Sequence, residues 1–471
     1  MPTVAEKLAD FVIRTRYEDI DGVTLWRAKM CILDMLGVIL AAWPEKSTQI
    51  LYRLLSRYGG AGDSTVLGAG EKLPVAHAAM IHSAMAHSLE LEDHHSHKHS
   101  LNHPGVCSIP PALAVAEREG RSGRDFLTAV VLGYEIGSRI SAATRLGVLN
   151  LERGFHESSV CGPFSAATVA GKLMGISAGQ LVQAYGICGG LAAGSMEFKS
   201  SDAMSKRFQV GNASHSGVLA TELAAAGFTG PPTVFEGKHG FYHSYVHEGN
   251  YNLAKITDGL GAGWAINHIQ YKPFACAGIL HSAVTAAQKL RQAPGFDAGR
   301  LRRVVIGTAS KVIEEYAVPA EKKAAPDNPV GAQFSLQYSV AVMIVRGRAL
   351  LDEFSPGTIR DPEVLRIAAL VETQADPAID AGWPRTDSTD LRAGFDDGRE
   401  LRLRVEEAKG DLSNPVTDEE LLIKFRQLSA PFLPPAGVEA VIEMCRNLEA
   451  VSGIRELIER MNAGDRRPPG D

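Results

Sequence analysis

Apolar positions in the first half of the chain recur at helical spacing, and in several stretches they close most of the way around the helix. Residues 24–42 form one such stretch and predict a buried helix, with Arg27 and Lys29 near its exposed start. Residues 74–89 follow as a helix opened by a proline that suits a first turn, and residues 64–67 before it read as a short strand. Helical patterns continue over residues 110–119, 125–144, 163–174, 177–196 and 209–226. Alanine and glycine fill many positions that would face neighbours, as in Ala166-Ala167, Ala170-Gly171 and Gly189-Gly190. Small residues let helix backbones approach, which predicts an all-α bundle. Helix propensity alone would also favour alanine.

Near residue 270 the pattern changes. Residues 302–308 and 401–405 read as strands, with helices at 334–345 and 361–371 between them, and residues 319–329 as an exposed loop. This order predicts a small α+β unit. Helical spacing returns over 417–461, opened by the capping sequence Thr417-Asp418-Glu419-Glu420. The expected organisation is a helical domain over 1–268 on which 415–462 docks back, an α+β domain over 269–414, and a disordered tail over 463–471.

Composition narrows the function classes. A chain of 471 residues with 45% hydrophobic and 22% charged residues is globular and long enough for two or three domains. A net charge of -6 argues against a nucleic-acid partner. The six cysteines form no Cys-x-x-Cys pair, which fits buried thiols. The N-terminus carries no secretory pattern, and the longest apolar run, 30–43, is short and contains Asp34. A cytoplasmic protein without a membrane span is expected. No Gly-x-Gly-x-x-Gly, P-loop or nucleophile elbow stands out.

The densest candidate chemistry lies in residues 90–105, where Glu90, Glu92 and Asp93 precede His94, His95, His97, His99 and His103. Histidine exchanges protons near neutrality, and a neighbouring carboxylate can orient it. Such a loop can also be a solvated connector or bind metal, but its spacing matches no closed zinc pattern and no His-Glu-x-x-His helix. Asp93 and His103 stand out because one sits at a helix end and the other before Pro104-Gly105. Further candidates are His156 in a glycine-started turn, Lys206-Arg207 before Gly211, Lys272 near His281, and Tyr316.

In order along the chain, 89–93, His103-Pro104-Gly105, Pro111-Ala112-Leu113-Ala114, Gly133-Tyr134-Glu135-Ile136-Gly137, Gly154-Phe155-His156, Glu197-Phe198, Lys206-Arg207-Phe208, 227–231 and Lys272-Pro273 resemble the motifs of the MmgE/PrpD family. The likeness runs through nearly the whole chain. It implies the two-domain arrangement above, a homodimer, and cofactor-free, metal-free chemistry on small di- or tricarboxylates in a cleft. It further implies catalytic roles for Asp93, His103, His156 and Tyr316, and substrate binding by Lys206, Arg207, Lys272 and His97.

Expected from this is a lyase that removes a proton beside a carboxylate and expels water from a 2-methylcitrate-like acid, with His103 oriented by Asp93. Epimerisation of an iminodisuccinate-like dicarboxylate is the alternative, and cis-aconitate decarboxylation stands behind it. The departures weigh most against decarboxylation: Glu90 and Glu92 stand at usually aspartate positions, His97 replaces a threonine, Ala277 a histidine and Ala275 a proline. A metal-dependent hydrolase using the His-rich loop, or a metal-storage loop, is the reading from a different class.

Overall fold

The computed structural model describes residues 1–96 and 99–464. Helix accounts for 57% and strand for 9%, so the protein is mainly α with one small mixed sheet. The predicted helices fall at Gly22–Ala41, Val75–Ala86, Ile109–Arg118, Gly123–Ala142, Glu157–Met174, Ala178–Gly189 and Ser205–Ala225. Each of the two 20-residue helices starts on a side chain that accepts a backbone N–H, Asp21 from Thr24 and Ser122 from Asp125. An N-terminal helix, Val4–Arg14, is added to the expected set and buries Ala5, Leu8, Ala9 and Val12, an i, i+3, i+4, i+7 stripe present in the sequence.

Several boundaries move for local reasons. The Glu157–Met174 helix starts before Pro163 and carries that proline inside it, so packing overrides its intrinsic cost. Gly189-Gly190 stops the next helix well short of residue 196. The predicted 361–371 helix divides into a helix, Pro362–Ala368, and a strand, Val371–Ala375. The 319–329 loop contains the short helix Ala320–Ala324. Residues 417–461 form three helices, Asp418–Ser429, Pro435–Arg446 and Arg455–Met461, broken where Pro434-Pro435 and Gly453 interrupt the pattern. Residues 465–471, most of the expected tail, lie outside the described residues.

The sheet runs in the order Val371–Ala375, Leu301–Thr308, Thr389–Phe395, Glu400–Val405. Its first pair is parallel and the other two antiparallel. The parallel pair needs a crossover, which the intervening helices provide. Strand Thr389–Phe395 is an addition to the expected elements, although Leu391, Ala393 and Phe395 alternate with Asp390, Arg392 and Gly394. His281–Arg291 packs on the antiparallel strands and on Leu336–Arg346.

The tightest helix contacts rest on glycine. Ser205–Ala225 lies against both Val75–Ala86 and Glu157–Met174. A Cβ on Gly217 would sit 2.5 Å from the Pro163 carbonyl oxygen and 2.6 Å from Ala166 Cβ, and one on Gly211 would sit 2.7 Å from the Met80 carbonyl. The Asp418–Ser429 helix packs on Gly22–Ala41, where Lys424 Nζ lies 2.8 Å from Asp34 Oδ1. The same ammonium donates to the carbonyls of Leu91 (2.7 Å) and Lys272 (3.0 Å), tying helices at both ends of the chain to two loops that carry charged residues.

Gly217→Ala tests this packing. Alanine gains about 1 kcal/mol of helix propensity, but the clash with backbone costs about 1–3 kcal/mol. Because the clashing atom is a carbonyl that cannot rotate away, a net loss is expected, read as a melting midpoint lowered by a few degrees.

Candidate active site

Glu90, His103, His156, Lys206, Lys272 and Tyr316 line one cleft. Six separate segments deliver them. Glu90 follows the Val75–Ala86 helix in a turn and adopts a left-handed backbone, φ +54°, uncommon for a side-chain-bearing residue. His103 precedes the turn Pro104–Cys107, and His156 is the residue before the Glu157–Met174 helix. Lys206 stands in the first turn of Ser205–Ala225, and Tyr316 ends Ser310–Tyr316. Lys272 follows the strand Ile269–Gln270, which pairs with His94–His95 and fastens the histidine loop to the lysine segment.

At the base of the cleft the charges cancel. The Lys206 ammonium donates to Glu90 Oε1, and Lys272 Nζ lies 3.1 Å from both Glu90 Oε2 and Glu92 Oε1. Burial alone would raise the two carboxyls, but the ammonium groups outweigh it and hold both below the usual carboxylate range. Burial would lower Lys272, and Glu92 and Glu90 reverse that into a raised pKa. For Lys206 burial wins over Glu90 and the pKa is lowered. Lys199 Nζ pairs with Glu315 at 2.6 Å and sits 4.9 Å from the centroid of the Tyr316 ring, whose hydroxyl burial keeps protonated.

The histidines differ in what is left open. His103 Nδ1 donates to the Asp93 carbonyl at 2.9 Å and lies 3.4 Å from Glu92 Oε1, and its Nε2 makes no hydrogen bond among the described residues. Burial and then Lys272 push its pKa well below 6.5. Both nitrogens of His156 are engaged, Nδ1 with Gln209 Oε1 at 3.0 Å and Nε2 with His87 Nε2 at 3.2 Å. His87, fully buried at the end of the alanine-rich helix, places Nδ1 3.0 Å from Glu92 Oε1.

Two sequence expectations change, and a third falls outside the described residues. Asp93 does not orient His103 through its carboxyl; that group is sealed behind the cleft, where it accepts from Tyr134, and Glu92 is the carboxylate beside His103. Gly105 makes room for it, since a Cβ there would meet Asp93 Oδ1 at 2.3 Å. Arg207 spends its guanidinium on the Ser88 carbonyl (3.1 and 2.8 Å) and fixes the turn before Glu90, away from the cleft. His97 lies outside the described residues; His94 lines the cleft. Sequence reasoning placed Glu90 and Glu92 in the candidate stretch without giving either a role, and it did not single out His87 or Lys199. A signal existed in Glu90-Leu91-Glu92, whose alternation suggests two carboxylates reaching the same side, and in a histidine ending an otherwise apolar helix.

His87, Glu92 and His103 bring one potential ligand atom each within 4.8 Å of one another. The shared atom, Glu92 Oε1, already faces the Lys272 ammonium, and His103 Nδ1 is turned to a carbonyl. A cation placed there would meet an ammonium beside its only anionic ligand, so the trio fits a hydrogen-bonded ion-pair network better than a metal cage. Lysines facing carboxylates suit the recognition of an anion and the stabilisation of charge that develops on it.

The family model for the MmgE/PrpD N-terminal domain matches residues 6–254, and that for the MmgE/PrpD C-terminal domain matches residues 274–450. The chain is 30% identical to cis-aconitate decarboxylase of Aspergillus terreus (strain NIH 2624 / FGSC A1156) over 96% of its own length and 94% of that protein. It is 27% identical to a cis-aconitate decarboxylase-like protein, oryM, of Aspergillus oryzae (97% and 96%), and 24% identical to human cis-aconitate decarboxylase (95% and 92%).

Burial pushes the Asp93 carboxyl up to about 7, against the hydrogen bond from Tyr134. A raised acid contributes stability that is full below its unfolded value near 3.8 and is lost as pH rises through about 7. An asparagine at this position cannot ionise, so the stability of Asp93→Asn relative to wild type should grow by roughly 2–3 kcal/mol between pH 5 and pH 8. Paired thermal melts at those two pH values check this, because every other titrating group is common to both proteins.

Proposed function

The chain belongs to the MmgE/PrpD family, and from that premise we propose that it is a cofactor-independent lyase acting on a small tricarboxylate by moving a proton at a carbon beside a carboxylate. The observation that carries this reading is His103. Its Nδ1–H is committed to the Asp93 carbonyl, so Nε2 holds the lone pair, and its lowered pKa keeps the ring neutral near pH 7. A neutral imidazole at the cleft wall is a base.

The substrate carboxylates take the place of Glu90 on Lys206 and Lys272. His103 Nε2 removes the proton, and the lysines stabilise the charge that builds on the adjacent carboxylate. The carbon–oxygen bond to the departing hydroxyl then breaks, and the protonated Tyr316 hydroxyl supplies the proton that lets it leave as water. A carbon–carbon double bond remains. This is dehydration of a 2-methylcitrate-like acid; returning the proton to the opposite face instead would be epimerisation.

A second reading, decarboxylation of a cis-aconitate-like tricarboxylate, is favoured by the full-length similarity to decarboxylases of that name. There the carbon–carbon bond to a carboxylate breaks, carbon dioxide leaves, and a protonated His103 returns a proton to the carbon. We propose further a cytoplasmic homodimer, with 1–268 and 415–462 forming one domain around a 269–414 insert. No helix among the described residues is long and apolar enough to cross a membrane.

The deciding experiment incubates the enzyme with 2-methylcitrate and with cis-aconitate in heavy water and follows both by NMR. Loss of water supports the first reading, release of carbon dioxide with deuterium incorporated at carbon supports the second, and neither turnover nor exchange on a wider di- and tricarboxylate panel would sink both. His103→Ala should lower kcat by about 100-fold or more. Lys206→Met should lower kcat/KM by about 100-fold while the fold is kept.

A further inference from the structure

Two neutral imidazoles between Glu92 and Gln209 leave one buried ring nitrogen bare beside a carboxylate. Gln209 Nε2 donates to the Ser195 carbonyl at 3.0 Å, which orients the amide so that Oε1 accepts from His156 Nδ1. His87 Nε2 then donates to His156 Nε2 at 3.2 Å, so both N–H groups of the two neutral rings are used. His87 Nδ1, 3.0 Å from Glu92 Oε1, is left with no hydrogen bond among the described residues. A bare ring nitrogen facing a carboxylate inside a protein is a costly arrangement that one added proton would turn into an ion pair.

The surroundings set when the third proton enters. His87 faces Glu92 at Nδ1, His156 at Nε2 and the His103 ring at a centroid distance of 5.1 Å, with the charges of Lys206, Lys272 and Glu90 near. Among these, two ammonium groups balance two carboxylates, so the cleft is close to neutral without a ligand. Burial and Lys206 then hold His87 below its ordinary value, and burial and His87 do the same to His156. A polycarboxylate entering this balanced site adds several negative charges to a buried region. The cheapest compensation is a proton on the bare ring nitrogen that already faces a carboxylate, His87 Nδ1 beside Glu92.

We propose that His87 and His156 act as a two-ring proton store, taking up one proton when a polyanion binds at Lys206 and Lys272. This rests on the reading of the cleft as a tricarboxylate site. His87 is thus a positioning residue: it touches no substrate, and it sets the charge of His156 at the cleft wall.

The probe is tricarballylate, a saturated tricarboxylate with no hydroxyl to lose. Calorimetric titration near pH 7.5 in buffers of different ionisation enthalpy should show uptake of about one proton per ligand bound by the wild-type enzyme. His87→Leu should bind the ligand with uptake near zero. Because that variant could fail to fold, 15N NMR of the wild-type histidines provides a second readout: on adding tricarballylate, the two buried imidazoles should together shift toward imidazolium by one proton's worth, as one ring fully or both partway. Binding without proton uptake, or uptake undiminished in His87→Leu, overturns the proton store whatever the enzyme turns over. Uptake without turnover of any panel substrate supports the store and removes the lyase reading. No binding of tricarballylate removes both.

Discussion

The ammonium of Lys272, buried between Glu90 and Glu92, is the contact on which both the site and its surroundings depend. Taking charges out of water is expensive, and their attraction offsets that cost only when each has close partners. The partners come from far apart in the chain. Lys206 serves Glu90 from the start of a long helix, and Lys424, paired with Asp34, holds the carbonyls of Leu91 and Lys272 from behind. Removing Lys272 would strand two buried carboxylates, whereas Lys206 shares Glu90 with it.

This arrangement explains the electrostatic character of the cleft. The lysines stay charged because carboxylates face them, and the histidines stay neutral because burial and the same lysines leave no room for another positive charge. The site is therefore preorganised for an anion while being nearly balanced without one. In the proposed function a substrate carboxylate replaces a protein carboxylate on the lysines, and recognition is then an exchange within a low-dielectric space. The left-handed backbone of Glu90 belongs to the same design, since it turns that carboxylate toward both ammonium groups.

Much of this is legible from local pattern. Helices such as Gly22–Ala41 and Gly123–Ala142 follow from their apolar spacing and their capping residues, which act within a few positions of one another. His103, Lys206, Lys272, His156 and Tyr316 stand out by residue type, boundary position and resemblance, and one cleft gathers them. Strand Thr389–Phe395 escapes such reading because a short alternation containing Asp, Arg and Gly is a weak signal until a neighbouring strand buries one face of it.

The acidic turn shows where local reasoning ends. Composition marks Glu90, Glu92 and Asp93 as candidates equally, yet one enters the cleft, one lies beside two imidazoles, and one faces Tyr134 with its carboxyl pushed up to about 7. In a helix or strand, period would have assigned these directions, but in an irregular turn the dihedral of a single residue does so. The amino-acid sequence by itself determined the helical class, the family and the kinds of groups available for proton transfer, because those depend on spacing and residue chemistry. Only the tertiary structure decided which carboxylate meets which lysine, across more than a hundred residues, and which histidine nitrogen stays open, because groups brought in from other turns and helices set the charge and orientation of each.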